Sequence, residues 1–266
     1  MKRNRLVGAM VLGGIVMAAA PAMADTCKEL DSQGLTHSAL QATLQGVVPG
    51  NGGSGPNGGL NFPMWLTLVD DSGKVCHVVN SLSGSQSALR DIWLGSRVIS
   101  AQKANTANAF STGLLALSSA NLYAAVQPGG SLYGLQHSNP VDPTLAYEGD
   151  ANKFGTAKDP LVKDRVGGIN VFGGGLALYN GKKEKVGAIG VSGDTSCTDH
   201  VVAWKVRDQL ASGAFHAANV PGGVSSGHND ALIQDISSGV SAGGFGHPTC
   251  LNNPNNSQDG GSIEGN

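Results

Sequence analysis

The fold is decided by one stretch of the sequence, FPMWLTLVDDSGKVCHVV, which spans residues 62–79. Two apolar runs flank the turn-forming residues Asp70-Asp-Ser-Gly73. Apolar runs joined by such a turn predict a β-hairpin. Three shorter apolar runs, at 167–172, 176–179 and 186–191, predict further strands. The hairpin and these runs together predict one antiparallel sheet.

Helices are predicted before, between and after these strands. Residues 38–47 carry apolar side chains at helical spacing and follow Thr36, a suitable N-cap. Residues 88–112 predict a long helix with a break near Gly95, and residues 199–210 predict a closing helix. This order of elements predicts an α+β domain in which helices flank a single antiparallel sheet.

The first 24 residues have the pattern of a secretory signal peptide. A positive start, Met1–Arg5, is followed by an apolar stretch up to about Ala20 and by the cleavage signal Ala22-Met-Ala24. An uncleaved membrane anchor is the alternative, but the stretch is shorter than the roughly 20 residues that span a bilayer. We therefore expect a periplasmic or secreted protein that has no membrane span after cleavage.

The mature chain is expected to form one α+β domain over residues 25–212. Residues 213–266 form a Gly/Ser/Asn-rich extension that we expect to be partly disordered, from Asn252 onward. Cleavage removes three of the 17 basic residues and leaves about 14 against 19 acidic ones, a net charge of about −5. That sign, and the lack of any basic run, argue against a nucleic-acid-binding protein.

Four cysteines remain after cleavage, namely Cys27, Cys76, Cys197 and Cys250. Their spacing matches no zinc site, and an even number of cysteines in an exported protein predicts disulfides. Four cysteines allow three connectivities. We favour Cys27–Cys76 with Cys197–Cys250, while the other two remain open.

Three segments together resemble one family. The hairpin at 65–75 is similar to its strand–D-x-G–strand, and residues 103–110 are similar to its K-A-x-T-A-x-x-F helix. Residues 167–169, 186–194 and Asp199 follow the order G-G-I, G-x-I-G-V-S-G-x and D. The family is that of the GlcG/HbpS-type haem-binding proteins, which are related to the C-terminal domain of PduO-type proteins.

The resemblance implies a profilin-like fold with a sheet of about five strands, self-association into a homo-oligomer, and haem binding in some members. It covers residues from about 35 to 211. The segments 49–59 and 127–165, Cys197 and the tail after Ser212 are interpreted as additions to the common core. An uncharged segment, 80–85, replaces a charged one, which weakens any ligand site that would use it.

If haem is the ligand, its iron needs an imidazole, thiolate, thioether or phenolate. With the thiols oxidised, the leading candidate ligands are His200, His37 and His77. His200 follows Asp199 at the start of the closing helix, where the helix N-terminus should keep the imidazole neutral. The alternative for each histidine is an ordinary surface or hydrogen-bonding role.

A second set of residues is predicted to bind the ligand's carboxylates. Lys103 and Thr106 are neighbours on one helix and could present an ammonium and a hydroxyl. Gly193 and Asp194 lie ahead of the closing helix, where backbone N–H groups can bind an anion, and Asp199 completes the set. The alternatives are a solvated helix face and a tight turn that needs glycine.

The predicted function is that of an exported binding protein for haem or a similar carboxylate-bearing small molecule, without evident catalysis. One alternative is an enzyme that acts on a small organic acid or degrades haem, and another is a structural module that forms oligomers. A G-x-S-x-G match at 223–227 raises a serine hydrolase, but it follows no predicted strand.

Overall fold

The computed structural model describes residues 25–48, 56–250 and 260–265. The predicted signal peptide, most of the loop at 49–59 and part of the predicted disordered tail lie outside the described residues. Within these ranges, no helix is both long and apolar enough to cross a membrane.

The described α-helices are α1 (Thr26–Ser32), α2 (His37–Val47), α3 (Gly95–Ala109), α4 (Leu135–Ser138), α5 (Pro143–Ala146) and α6 (Ser196–Gln209). The main strands are β1 (Trp65–Asp70), β2 (Val75–Asn80), β3 (Gly175–Tyr179) and β4 (Lys185–Ser192). Short strands near the C-terminus are β5 (Leu232–Ile233), β6 (Ile236–Ser237), β7 (Val240–Ser241) and β8 (Ile263–Glu264). The 3₁₀ turns are Ser119–Leu122, Ala124–Val126, Ala151–Lys153, Leu210–Gly213 and Ala217–Asn219.

Several predicted elements are confirmed. The hairpin is β1–β2, and α2 begins where Thr36 caps it by accepting a hydrogen bond from the Ala39 N–H at 3.3 Å. The predicted long helix at 88–112 is shorter than expected, because residues 88–94 form turns and bends and α3 spans only Gly95–Ala109. The helix α1 was not predicted, since its seven residues are too few to show a periodic pattern.

The main sheet has four strands in the order β2-β1-β4-β3, and every neighbouring pair is antiparallel. The predicted strand at 167–172 is not formed. Gly167 and Gly168 have φ angles of +67° and +82°, which break an extended backbone. Side chains of α3 hold the segment instead: Asn105 donates to the Gly168 carbonyl at 2.8 Å, and Thr106 Oγ1 accepts the Asn170 N–H at 3.0 Å.

Helices cover both faces of this sheet. On one face α3 packs its alanines, such as Ala101 and Ala104, against Trp65 and Val69 of β1. On the other face α1, α2 and α6 enclose a core of Leu, Val and Ile side chains. The alternation of side chains along each strand explains the division, because successive residues of a strand point to opposite faces.

The outer edge of β2 is partly paired by a loop. The N–H of Val75 donates to the Asp164 carbonyl at 2.8 Å, and the Lys163 N–H donates to the Val75 carbonyl at 2.8 Å. In addition, a disulfide joins Cys76 of β2 to Cys27 of α1, with their Cα atoms 5.3 Å apart. Backbone bonds and a covalent link therefore both fix this edge strand.

The segment after α6 packs against the domain formed by the main sheet and its helices, and it contacts α6 directly. Asp230 accepts two hydrogen bonds from Arg207 of α6, at 2.6 and 2.9 Å, and neither side chain is exposed. A second disulfide joins Cys197 of α6 to Cys250, with a Cα–Cα distance of 5.8 Å. Both disulfides have the pairing that the sequence analysis favoured.

Glycine at position 190 allows α3 to approach the sheet closely. A Cβ placed there would lie 2.0 Å from the Ser100 carbonyl oxygen and 2.5 Å from the Ala104 nitrogen. By contrast, a Cβ at Gly46 of α2 would meet no atom within 4 Å. The two glycines therefore offer a matched pair of substitutions.

We expect Gly190→Ala to lower the free energy of unfolding by about 1–3 kcal/mol or more, because α3 must move away from β4. The control Gly46→Ala should raise it by roughly 0.5–1 kcal/mol, since alanine is the better helix former. Urea unfolding of the two variants measures both changes. Equal effects of the two substitutions would contradict the close approach of α3.

Candidate functional site

Lys103 and Asp199, both predicted to bind a ligand, bind each other inside the protein. The Lys103 ammonium lies 2.6 Å from Asp199 Oδ2 and donates to the Val191 carbonyl at 3.0 Å. Both side chains are almost fully buried. Burial raises the pKa of Asp199 to about 6, against the opposing effect of the ammonium, and burial lowers the pKa of Lys103. The pair joins α3 and α6, which cover opposite faces of the sheet.

The backbone N–H groups predicted to hold an anion already hold one. Gly193 and Asp194 donate their N–H groups to Asp199 Oδ1 at 3.1 and 2.9 Å. The Asp194 carboxylate in turn accepts the N–H groups of Leu60 and Phe62, just before β1. Thr106 donates to the Gln102 carbonyl at 2.8 Å. The described structure thus gives every member of this predicted set an internal partner, and a role in ligand binding stays a prediction.

Three consecutive glycines, at 173–175, leave room for the ion pair between Lys103 and Asp199. A Cβ at Gly174 would lie 3.2 Å from the Asp199 Cβ, and one at Gly175 would lie 2.3 Å from the Lys103 carbonyl oxygen. At Gly173 it would lie 2.4 Å from the Ser196 carbonyl oxygen. The start of β3 can therefore pass between α3 and α6 because these positions lack side chains.

His200 lies wholly inside the protein, on α6. Its ring nitrogens have no hydrogen-bond partner of normal geometry among the described residues, although the Ser262 backbone is nearby. Burial, helped by the charge of Arg207, lowers the pKa of His200 to about 3, so the ring is neutral as predicted. The main cause is burial rather than the helix N-terminus.

The other two predicted iron ligands meet at a different place. The rings of His37 and His77 lie edge to face with their centroids 6.1 Å apart. His37 Nε2 is 3.1 Å from the Gly155 carbonyl oxygen, and His77 Nε2 is 2.7 Å from Asp31 Oδ1. These two histidines therefore link α1, α2 and β2, while His200 lies apart from them.

The G-x-S-x-G match does not form a catalytic arrangement. Ser225 donates its hydroxyl to Asn229 Oδ1 at 2.6 Å and accepts the Asn229 N–H at 3.0 Å. No imidazole among the described residues is hydrogen-bonded to it. The match is a turn that Asn229 stabilises.

A cavity of about 860 Å³ lies between residues 123–131 and residues 236–248. Its volume falls within the range of about 300–1,000 Å³ that is usual for ligand pockets. Its walls are mostly apolar or glycine, with Tyr123, Ile236 and Val240 among the larger side chains, and no charged side chain lines it. Three further cavities of the described residues have volumes of about 420, 370 and 180 Å³. Sequence reasoning missed the cavity because its two walls are more than 100 residues apart.

His247 stands behind one wall of this cavity. Its ring lies 5.2 Å from the ring of Tyr123, and its neighbour Pro248 lines the cavity. Nδ1 is 2.8 Å from the Pro248 carbonyl oxygen, and Nε2 is 2.7 Å from Ser196 Oγ. Burial lowers the pKa of His247, so the neutral ring has one N–H. Because a carbonyl only accepts, that proton lies on Nδ1 and Ser196 donates to Nε2.

The fold and the sequence together define a class, that of small α/β proteins with one antiparallel sheet between layers of helices. A family model described as haem degrading protein HbpS-like matches residues 61–207, more than half of the chain. The chain belongs to this HbpS-like family. The match runs through 127–165, which the sequence analysis interpreted as an addition to the common core.

Two solved structures are similar to the chain. Protein ORFY of Klebsiella pneumoniae, a DUF336 structure, is 24% identical, with 68% of this chain and 89% of that one covered and a TM-score of 0.41. A structure titled as a complex of PduOC with heme is 22% identical, with 71% and 96% covered and a TM-score of 0.40. A search of curated proteins found no match.

The internal ion pair gives a testable expectation. Lys103→Met leaves the Asp199 carboxylate buried without its cation, so the free energy of unfolding should fall by about 3–5 kcal/mol. The loss should be smaller at pH 5 than at pH 8, because the pKa of Asp199 is raised and its protonated form, favoured at low pH, needs no cation. Denaturant unfolding at both pH values measures this.

The control is Lys103→Met combined with Asp199→Asn, which keeps an acceptor for the N–H groups of Gly193 and Asp194. At pH 8 the double variant should be more stable than Lys103→Met alone. If the two variants were equally stable, the unpaired carboxylate would not lower the free energy of unfolding, and the expectation would be contradicted.

Proposed function

We propose that the protein binds haem, or a similar flat ligand, in the 860 Å³ cavity between 123–131 and 236–248. The observation that carries the proposal is that a member of a family described as haem degrading has a cavity of this size with apolar walls. Apolar walls suit the faces of a porphyrin because burying its surface is favourable. The lack of charge suits a ligand whose carboxylates stay in water at the mouth.

Tyr123 is the residue of the cavity best suited to hold the iron. Phenolate oxygen is an established haem ligand, and no hydrogen bond of the Tyr123 hydroxyl to another described residue is present. The apolar lining fits the porphyrin, and the phenol fits the iron. Bound haem would supply a metal centre with a characteristic visible absorption, and the protein would supply Tyr123 and the enclosing walls.

The predicted ligands His37, His77 and His200 lie outside the lining of this cavity. His200 is also wholly buried, so a haem could reach it only after a rearrangement of α6. Their role as iron ligands stays a prediction, and the proposal does not depend on it.

Export to the periplasm or medium is also part of the proposal, and the N-terminal pattern supports it. Self-association is part of it too, supported by exposed apolar side chains such as Trp93.

We expect hemin to produce a saturable shift of its Soret band when it is titrated into the mature protein. Tyr123→Phe should weaken binding about tenfold or more and change the spectrum, because the oxygen ligand is lost. Tyr147→Phe is the matched control, since Tyr147 is 63% exposed and does not line the cavity. A featureless, non-saturating titration of the wild-type protein would contradict haem binding itself.

Degradation of haem is the second candidate function, and the family description is the observation that favours it. The measurement is the haem absorption of the loaded protein under air with added ascorbate. A carrier keeps the band at the rate of a haem–albumin control, whereas a degrading enzyme loses it many times faster. We expect the slow loss, because no pair of acid and base side chains lines the cavity.

A further inference from the structure

Cys197, His247 and Cys250 form a cluster that the proposed haem site does not use. One potential metal-ligand atom from each residue lies within 4.8 Å of the other two. Cys197 and Cys250 are joined as a disulfide, and the Cys197 sulfur is 3.9 Å from His247 Nδ1. His247 and Cys250 are three residues apart, a spacing common between zinc ligands.

The spacing of these atoms is close to that of a zinc site. Zn–S bonds of about 2.3 Å and Zn–N bonds of about 2.0–2.1 Å place the nitrogen and sulfur of a tetrahedron about 3.6 Å apart. The observed 3.9 Å between Cys197 Sγ and His247 Nδ1 needs only a small adjustment. Once the S–S bond is broken, the two sulfurs can separate and admit a cation.

The surroundings of His247 already meet the requirement for a metal-bound imidazole. A ligating histidine usually donates its other ring N–H to a fixed oxygen. Ser196 Oγ lies 2.7 Å from Nε2 and is itself held by the Gly173 N–H at 2.7 Å. When Nδ1 binds the metal, it gives up its hydrogen bond to the Pro248 carbonyl. The ring proton then lies on Nε2, which donates a hydrogen bond to Ser196 Oγ.

Charge balance also favours a divalent cation. Two thiolates and one neutral imidazole around a dication have no net charge, which suits residues as buried as Cys197 and His247, at 3% and 5% exposed. The Gln234 amide donates to the Cys250 sulfur at 2.7 Å and would stabilise a thiolate there. Cys197 lies in the first turn of α6, where the helix dipole also favours a thiolate.

We propose that reduction of the Cys197–Cys250 disulfide creates a binding site for a thiophilic divalent cation, of which Zn²⁺ is the type. A thiol or phosphine reductant supplies two electrons, and with two protons these convert the S–S bond into two thiols. The cation then binds both sulfurs and His247 Nδ1 and displaces the two thiol protons to solvent. Three protein ligands leave a fourth position for water.

The second such cluster, formed by Cys27, Asp70 and Cys76, is less suited to a cation. Asp70 Oδ1 accepts the N–H groups of Ser72 and Lys74 at 2.9 Å each, and the Lys74 ammonium lies 3.6 Å from Oδ2. Its carboxylate is therefore already satisfied and partly neutralised. The pair Cys27→Ser and Cys76→Ser serves as a background without competing thiols.

The test is a Co²⁺ titration of the full-length mature protein, kept anaerobic with a phosphine reductant. We expect one equivalent of Co²⁺ to bind, with a near-ultraviolet thiolate-to-cobalt band that Zn²⁺ abolishes, in the wild type and in the Cys27→Ser/Cys76→Ser background. The oxidised protein should show no band.

Ser196→Ala should weaken binding about 10–100-fold, because it removes the oxygen that orients His247. Ser138→Ala, at a surface serine, should have no effect.

Circular dichroism of the same samples shows whether each protein is still folded. The inference is overturned if the reduced, folded protein gives no band, or if Ser196→Ala binds as tightly as the wild type. It is also overturned if reduction unfolds the protein and Zn²⁺ does not restore the native spectrum. Should the background variant fail to fold, the comparison of wild type with Ser196→Ala and His247→Ala decides the question alone.

Discussion

The ion pair between Lys103 and Asp199 is the constraint around which the rest of the structure is arranged. The lysine comes from the helix on one face of the sheet and the aspartate from a helix on the other face. They can meet only where the sheet ends, at the carbonyl of Val191. Two charges removed from water need a nearly complete set of hydrogen bonds, and the turn after β4 supplies the remaining donors.

Much of the fold follows from local patterns. The turn at Asp70–Gly73 and the cap at Thr36 are satisfied within a few residues, so their signals can be read from the sequence. The segment at 167–172 could not be judged in this way. Its apolar residues suggest a strand, but two left-handed glycines and the amides and hydroxyls of α3 decide its path.

The candidate site was less accessible to sequence reasoning than the fold. The spacing of Lys103 and Thr106 places them on one helix face, but spacing alone cannot tell whether that face meets solvent or the sheet. The cavity depends on contacts between distant segments, and His247 gives no local sign of its bond to Ser196. A long-range cluster of this kind becomes visible only when the chain is folded.

One wall of the cavity and two of the three residues of the Cys197–His247–Cys250 cluster lie beyond residue 207, where the family match ends. Residues beyond the family match therefore complete both the cavity and the cluster. Arg207 and Asp230 attach that segment by a buried ion pair. In the proposed site, the C-terminal segment would therefore contribute to ligand selectivity together with residues 123–131.

The loop that pairs with Val75 has a consequence for how copies of the protein can meet. An edge strand with unpaired backbone N–H and C=O groups can pair with a strand of another molecule, and repeated pairing of this kind leads to aggregation. Here those groups are occupied at the start of β2, and the cystine to α1 holds the strand in place. At that end of β2, the backbone groups of Val75 are therefore not available to extend the sheet with a second molecule.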